Sequence, residues 1–184
     1  GGKIIGYSIN AFNESYFEIS NGIIEISEFV LYGSGGKISG GNISANRLKT
    51  TIDSLTQIEN GILNFNSFDI YGNMDIKGGT INISDFYTHY YSRMNIFAGN
   101  IEIDDILFDP SAIMNVYSNN YNYNATQKTL TCYLNNGGYL NIANLEQVEY
   151  NRINFIPEPS VLSLLSMGIL VIKRKYFKKT DITI

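Results

Sequence analysis

The sequence predicts an all-β fold: a parallel β-helix, or solenoid, with coils of about 20 residues, followed by a short C-terminal hydrophobic helix. Three observations predict it. Glycine recurs, with Gly2, Gly22, Gly41, Gly61, Gly79 and Gly99 heading six similar segments at spacings of 20, 19, 20, 18 and 20 residues. Apolar residues recur behind each glycine, at offsets of about +2, +4, +7 and +9. The composition of the 184-residue chain, with 17 Gly, 3 Pro, no Trp and abundant Asn, Ile and Tyr, suits strands joined by turns.

The first strand of each unit comes from the offsets. Behind Gly22 stand Ile24, Ile26, Phe29 and Leu31, and behind Gly61 stand Leu63, Phe65, Phe68 and Ile70. Behind Gly99 stand Ile101, Ile103, Ile106 and Phe108; behind Gly79 stand Ile81, Ile83, Phe86 and a polar Thr88. The Gly41 unit is degenerate, with Ile43, Ala45 and Leu48. The two-residue step is the signature of a strand with one buried face. The three-residue step that follows reverses the phase, so a bend or corner is expected near +5 and +6. Those sites hold Ser27-Glu28, Asn66-Ser67, Ser84-Asp85 and Asp104-Asp105, residue types that suit turns. A second, shorter strand ends three residues before the next glycine, marked by Phe17/Ile19, Ile38, Ile58, Met74/Ile76, Met94/Ile96 and Met114/Val116.

A unit this small cannot bury its own apolar face, whereas stacked copies can. Six coils rising by one strand spacing of about 4.8 Å each would make a rod roughly 29 Å long. An antiparallel sandwich or barrel also places strands every 8–12 residues. The repeat of the whole unit, phase reversal included, selects the solenoid. Its period and glycine placement resemble the right-handed β-helices of filamentous haemagglutinin and autotransporter-type adhesins. Repeats are assigned to residues 1–118. Residues 119–156 are read as irregular terminal coils and a cap: Asn119–Asn124 is polar and tyrosine-bearing, Thr129–Leu134 is a strand, Gly138 restarts a unit, and Gln147–Phe155 is a last strand. Cys132 is expected to face inward as a small apolar residue.

Charge divides the chain. The formal net charge is −4, but residues 1–172 carry 8 basic and 16 acidic side chains, and residues 173–184 carry five basic ones and Asp181. The basic cluster, Lys173, Arg174, Lys175, Lys178 and Lys179, abuts the uncharged run VLSLLSMGILVI. The apolar side chains of that run are Val161, Leu162, Leu164, Leu165, Met167, Ile169, Leu170, Val171 and Ile172. As a helix the twelve residues of this run would span about 18 Å, short of a hydrocarbon core about 30 Å thick. It therefore reads as a marginal membrane anchor with a positive stop on the cytoplasmic side. Pro157-Glu158-Pro159 before it is an extended break that cannot continue a strand ladder.

This order, Pro157-Glu158-Pro159, then the short apolar run, then the basic cluster near the chain end, resembles the PEP-CTERM sorting signal of exported bacterial proteins. The resemblance covers residues 157–184, with the stretch Thr180–Ile184 longer than the usual basic ending. It implies export across the inner membrane of Gram-negative-type bacteria and transient anchoring there through the tail. Cleavage by the membrane enzyme exosortase then releases the chain to the cell surface or extracellular matrix, in a biofilm, adhesion or matrix role. Pro157, Glu158 and Pro159 are then recognised by another enzyme. The exported class carries a signal peptide and the chain starts at Gly1 in mid-pattern, so it is expected to be a fragment or a processed form.

Composition narrows the chemistry. One Cys and one His leave no disulfide framework, no cysteine-rich zinc module and no two-histidine metal site. The acidic balance argues against nucleic acid as a partner. Glu102, Asp104, Asp105 and Asp109 form the best acidic cluster, suited to Ca²⁺ or to acid and base work on a polysaccharide. Plain corner and solvent-face acids account for them better, and the Asp105-to-Asp109 spacing is not that of an oxygen-rich Ca²⁺ loop. His89, within Tyr87-Thr-His-Tyr-Tyr91, belongs to a segment that could stack on a glycan. No metal or cofactor is implied. A non-enzymatic surface rod is expected, with an exopolysaccharide or other surface glycan as a further partner. The alternative is a carbohydrate-active β-helix enzyme, a lyase or glycosidase, in which Asp69, Asp85, Asp104 and Asp105 would converge with Arg93 in one groove.

Overall fold

A computed structural model of the chain describes residues 2–12, 15–33 and 35–157. Each coil contributes one long and one short strand. In chain order they are β1 (Lys3–Ala11) and β2 (Tyr16–Ile19), β3 (Ile23–Leu31) and β4 (Gly35–Ile38), β5 (Asn42–Thr50) and β6 (Leu55–Ile58), β7 (Ile62–Ile70) and β8 (Asn73–Ile76), β9 (Thr80–Thr88) and β10 (Arg93–Ile96), and β11 (Gly99–Phe108) and β12 (Ile113–Tyr117). β13 (Asn120–Asn124), β14 (Thr129–Tyr133), β15 (Gly138–Ile142), the single-turn helix α1 (Gln147–Tyr150) and β16 (Ile153–Ile156) complete the described chain. The long strands form one parallel sheet in the order β1-β3-β5-β7-β9-β11, and the short strands β2 to β12 form a second. The fold is the parallel β-solenoid that the repeat predicts, of about six turns. The expected C-terminal hydrophobic helix lies outside the described residues.

Register carries the repeat into columns. Ile24, Ile43, Leu63, Ile81 and Ile101 stack at one position, and Phe29, Leu48, Phe68, Phe86 and Ile106 at another. All ten are buried. From the second sheet, Ile38, Ile58, Ile76, Ile96 and Val116 fill the opposite wall, each fully buried. The degenerate Gly41 unit obeys the same register, because Ala45 sits under the larger Phe65 and beside the fully buried Leu48. Bulk is exchanged between neighbouring coils in the same way at Gly36, where a side chain would collide with the ring of Phe17.

At +9, Thr50 and Thr88 replace apolar side chains and are buried. Thr50 Oγ1 accepts a hydrogen bond from the Tyr71 amide at 3.1 Å, and Thr88 Oγ1 accepts one from the Asp109 amide at 3.1 Å. The next coil thus satisfies each hydroxyl, as burial requires.

The phase reversal at +5 and +6 differs from the expected corner. Each long strand runs through it, and the ladder skips one position per coil: Ser27, Asn46, Asn66, Ser84 and Asp104. Two consecutive outward residues bend the strand without ending it. Corners lie instead at the glycines and just past the long strands. Gly61 has φ +116°, and a Cβ there would approach the Gly41 carbonyl to 3.0 Å, so both conformation and space call for glycine.

The two ends differ. β1 pairs with β3 alone among the described residues, and its Ile4, Ile5 and Tyr7 are exposed. At the other end β15 adds parallel to β11, with Gly138 opposite Gly99, and then the sheet turns antiparallel through β14 and β13. Its outermost strand, NYNYN, is polar and so suits an open edge. The expected last strand over Gln147–Phe155 is instead α1 followed by β16, which pairs with β12. Glu149 explains the helical turn: it is buried, and its Oε2 accepts the Phe108 amide at 3.0 Å, satisfying a group at the end of β11.

Candidate functional site

The outer face of the long-strand sheet carries the densest set of functional side chains. Asp69 at +8 on β7 points outward between the buried Phe68 and Ile70, yet it is only 5% exposed. Its neighbours cover it. Arg47 on β5 donates from Nε to Asp69 Oδ2 at 2.6 Å, Ser67 Oγ donates to the same oxygen at 3.4 Å, and His89 Nε2 lies 3.3 Å from Oδ1. Burial alone would raise the Asp69 pKa, but the Arg47 and His89 hydrogen bonds outweigh it and hold the carboxyl below its ordinary value. The imidazole stacks on Tyr71 with ring centres 3.7 Å apart and planes 6° apart. Lys49 Nζ stands 5.3 Å from the centre of the Tyr71 ring, within cation–π range.

This cluster borders a cavity of about 540 Å³ lined by Tyr32, Lys49, Thr51, Ile52, Asp53 and Tyr71. The wall residues come from equivalent corners just past the long strands of three successive coils. Thr51, Ile52 and Asp53 come from one turn, in which Ser54 donates to the Thr51 carbonyl at 2.7 Å and Asp53 has φ +66°. Chemically, the place offers two aromatic rings, one ammonium, one carboxylate and hydroxyl groups along a polar rim.

The acidic cluster expected from the sequence is split. Glu102, Asp104 and Asp105 are exposed on β11, and Asp109 lies beyond its end. Glu102 Oε1 accepts the Tyr139 hydroxyl at 2.9 Å, which raises the phenol's pKa. Glu102 and Asp104 border one groove together with Asn64, Asn66 and Asn82. Asp109 accepts both the Ser111 hydroxyl at 2.6 Å and the Ser111 amide at 2.9 Å, and these bonds lower its pKa. At about 3.3 Å per residue, Glu102 and Asp109 are separated by about 23 Å of extended chain. Asp85 and Asp105 are register neighbours, Asp69 is held by Arg47 and His89, and Arg93 opens β10 in the other sheet. No group of three or more His, Cys, Asp or Glu side chains among the described residues is placed to hold a metal ion.

Pro157 is exposed directly after β16. Glu158, Pro159, the apolar run Val161–Ile172 and the basic residues Lys173, Arg174, Lys175, Lys178 and Lys179 lie outside the described residues. No helix among the described residues is long and apolar enough to cross a membrane. Cys132 faces inward as expected, fully buried, and burial pushes its thiol pKa up to about 12. Comparison with known proteins finds no match: no family model, no curated protein and no solved structure.

Proposed function

We propose that the chain is an exported bacterial surface or extracellular-matrix protein, a non-enzymatic rod delivered by a C-terminal sorting signal that exosortase cleaves. One observation carries the reading: the ordered succession of Pro157-Glu158-Pro159, an uncharged run over 161–172 and five basic residues, set against an otherwise acidic chain. The fold supports it in one respect. β16 completes the short-strand sheet at Ile156, so the Pro-Glu-Pro segment begins where the last ladder ends and Pro157 is open to solvent. A processing enzyme could then reach Pro157 without unfolding a coil.

The surface suits a scaffold. Polar side chains stack into ladders, with Asn95 donating to Asp75 at 2.8 Å, Asn115 to Asn95 at 2.8 Å and Asn154 to Asn115 at 3.2 Å. On the other sheet Asn82 donates to Asn64 at 2.8 Å. Such ladders hold neighbouring coils in register from outside. The groove shared by Glu102 and Asp104 has no basic side chain in its lining, and Asp69 and Arg93 lie outside it, which favours a scaffold over a lyase or glycosidase that needs acid and base groups converging on one bond.

The test is replacement of Pro157-Glu158-Pro159 by three alanines in an exosortase-bearing host, followed through tail cleavage and surface delivery. The reading expects the uncleaved chain to accumulate in the inner membrane. Cleavage and delivery at the unaltered rate would overturn it.

A further inference from the structure

We propose that the cavity between Tyr32 and Tyr71 is a subsite for one hexopyranose ring of a neutral polysaccharide. The choice of a glycan rests on the matrix reading above; the position and shape of the subsite rest on the coil geometry.

The corner ten residues past each coil glycine forms a column, occupied in turn by Phe12, Tyr32, Thr51, Tyr71 and His89. Phe12 and Tyr32 stack with planes 6° apart and ring centres 5.4 Å apart. Tyr71 and His89 stack with planes also 6° apart. Thr51 interrupts the column, and the cavity lies where its ring would be. Tyr32 and Tyr71 are two coils apart, about 9.6 Å at a strand spacing of about 4.8 Å. One ring inserted midway would lie about 4.8 Å from each tyrosine, within the range in which ring faces attract. The column is an aromatic stack with one rung left out.

The rim decides what the missing rung would be. A pyranose offers apolar C–H faces to the two tyrosines and a belt of hydroxyls to the edge. Asp53 can accept from those hydroxyls. Lys49, which has no ion-pair partner among the described residues, holds its ammonium over the face of Tyr71 that His89 leaves free; an entering ring displaces it to the rim, where it can donate to those hydroxyls. A purely apolar ring would leave both groups unanswered. A polyanion, whether uronate or nucleic acid, would meet the carboxylate of Asp53 and the net −8 of residues 1–172. The cavity volume of about 540 Å³ falls in the range of small-molecule sites.

The test measures binding of neutral hexopyranose hexamers, β-linked and α-linked, to the full 184-residue chain in detergent by calorimetry, beside Tyr71→Ala and Thr51→Phe. Oligogalacturonate and single-stranded polyadenylate are run in parallel, and the melting temperature of every variant is recorded. Expected is saturable binding of a neutral hexamer, weakened about tenfold or more by Tyr71→Ala. Thr51→Phe should abolish it by filling the rung, with a melting temperature equal to or above that of the parent. Three outcomes would overturn the proposal: no neutral hexamer binds, binding survives both substitutions, or a polyanion binds more tightly than any neutral hexamer. The sorting signal plays no part in this measurement, so its failure leaves the delivery reading standing, and uncleaved Ala-Ala-Ala chain would leave the subsite standing.

Discussion

Arg47→Ala tests how the outward carboxylate of Asp69 is tolerated in a near-buried position. The substitution removes the 2.6 Å bond from Arg47 Nε and leaves Asp69, whose side chain is 7% exposed, with His89 and Ser67. A hydrogen bond to a charged group is worth about 1.5–3 kcal/mol. The Arg47 side chain is 43% exposed, so screening by water lowers the expected loss to about 1–2 kcal/mol near pH 7. The pH dependence has a definite sign. Asp69 titrates below its ordinary value in the folded chain, so its contribution is present above the unfolded carboxyl pKa of about 3.9 and is lost as pH falls through the folded value. The gap between parent and Arg47→Ala should therefore be full at pH 6–7 and should shrink steadily below about pH 4. Urea unfolding followed by circular dichroism, at a series of pH values from about 7 to 3, measures it. A gap that stays constant across that range would refute the ion-pair account, because it would mean that Arg47 acts by packing alone.

Three further outcomes follow from the fold. Phe68→Ala should cost about 3–5 kcal/mol, because the ring is fully buried and packs edge-on against Phe86 at 5.6 Å; urea unfolding measures the loss. Gly61→Ala should lower stability by more than about 1 kcal/mol, the reverse of the gain alanine brings where the backbone suits both residues, since it combines φ +116° with an approach to the Gly41 carbonyl; the midpoint of thermal unfolding reads it. Cys132 should stay silent to a soluble disulfide reagent in the native chain and react fully in denaturant, and rapid native labelling would contradict its burial.

Much of the coil was legible in the sequence because a solenoid repeats its constraints. A column shared by Ile24, Ile43, Leu63, Ile81 and Ile101 imposes one requirement five times, so the period survives local degeneracy such as Ala45. The reversal at Ser27 and its equivalents was visible, but composition suggested a turn there; a strand can present two outward residues in succession with a single skipped ladder position, and turn-forming residues tolerate that bend too. The terminal helix was missed because four residues carry no helical period, and the demand that shapes them, the Phe108 amide, comes from a strand about 40 residues away. The Asp69 cluster was missed for a similar reason. Arg47, Asp69 and His89 stand at +6, +8 and +10 of successive units, a diagonal that means nothing until the coils are stacked. The aromatic column was open to discovery, since Phe12, Tyr32, Tyr71 and His89 share one offset from their glycines.

The central claim, that an acidic solenoid is exported on a disposable basic tail, is tested most directly by the intact mass of the chain recovered from the surface or medium of an exosortase-bearing host. The account predicts a product ending close to Pro157–Pro159, lacking the five basic residues of 173–184 and correspondingly more acidic. A surface-delivered product that still ends at Ile184 would contradict it.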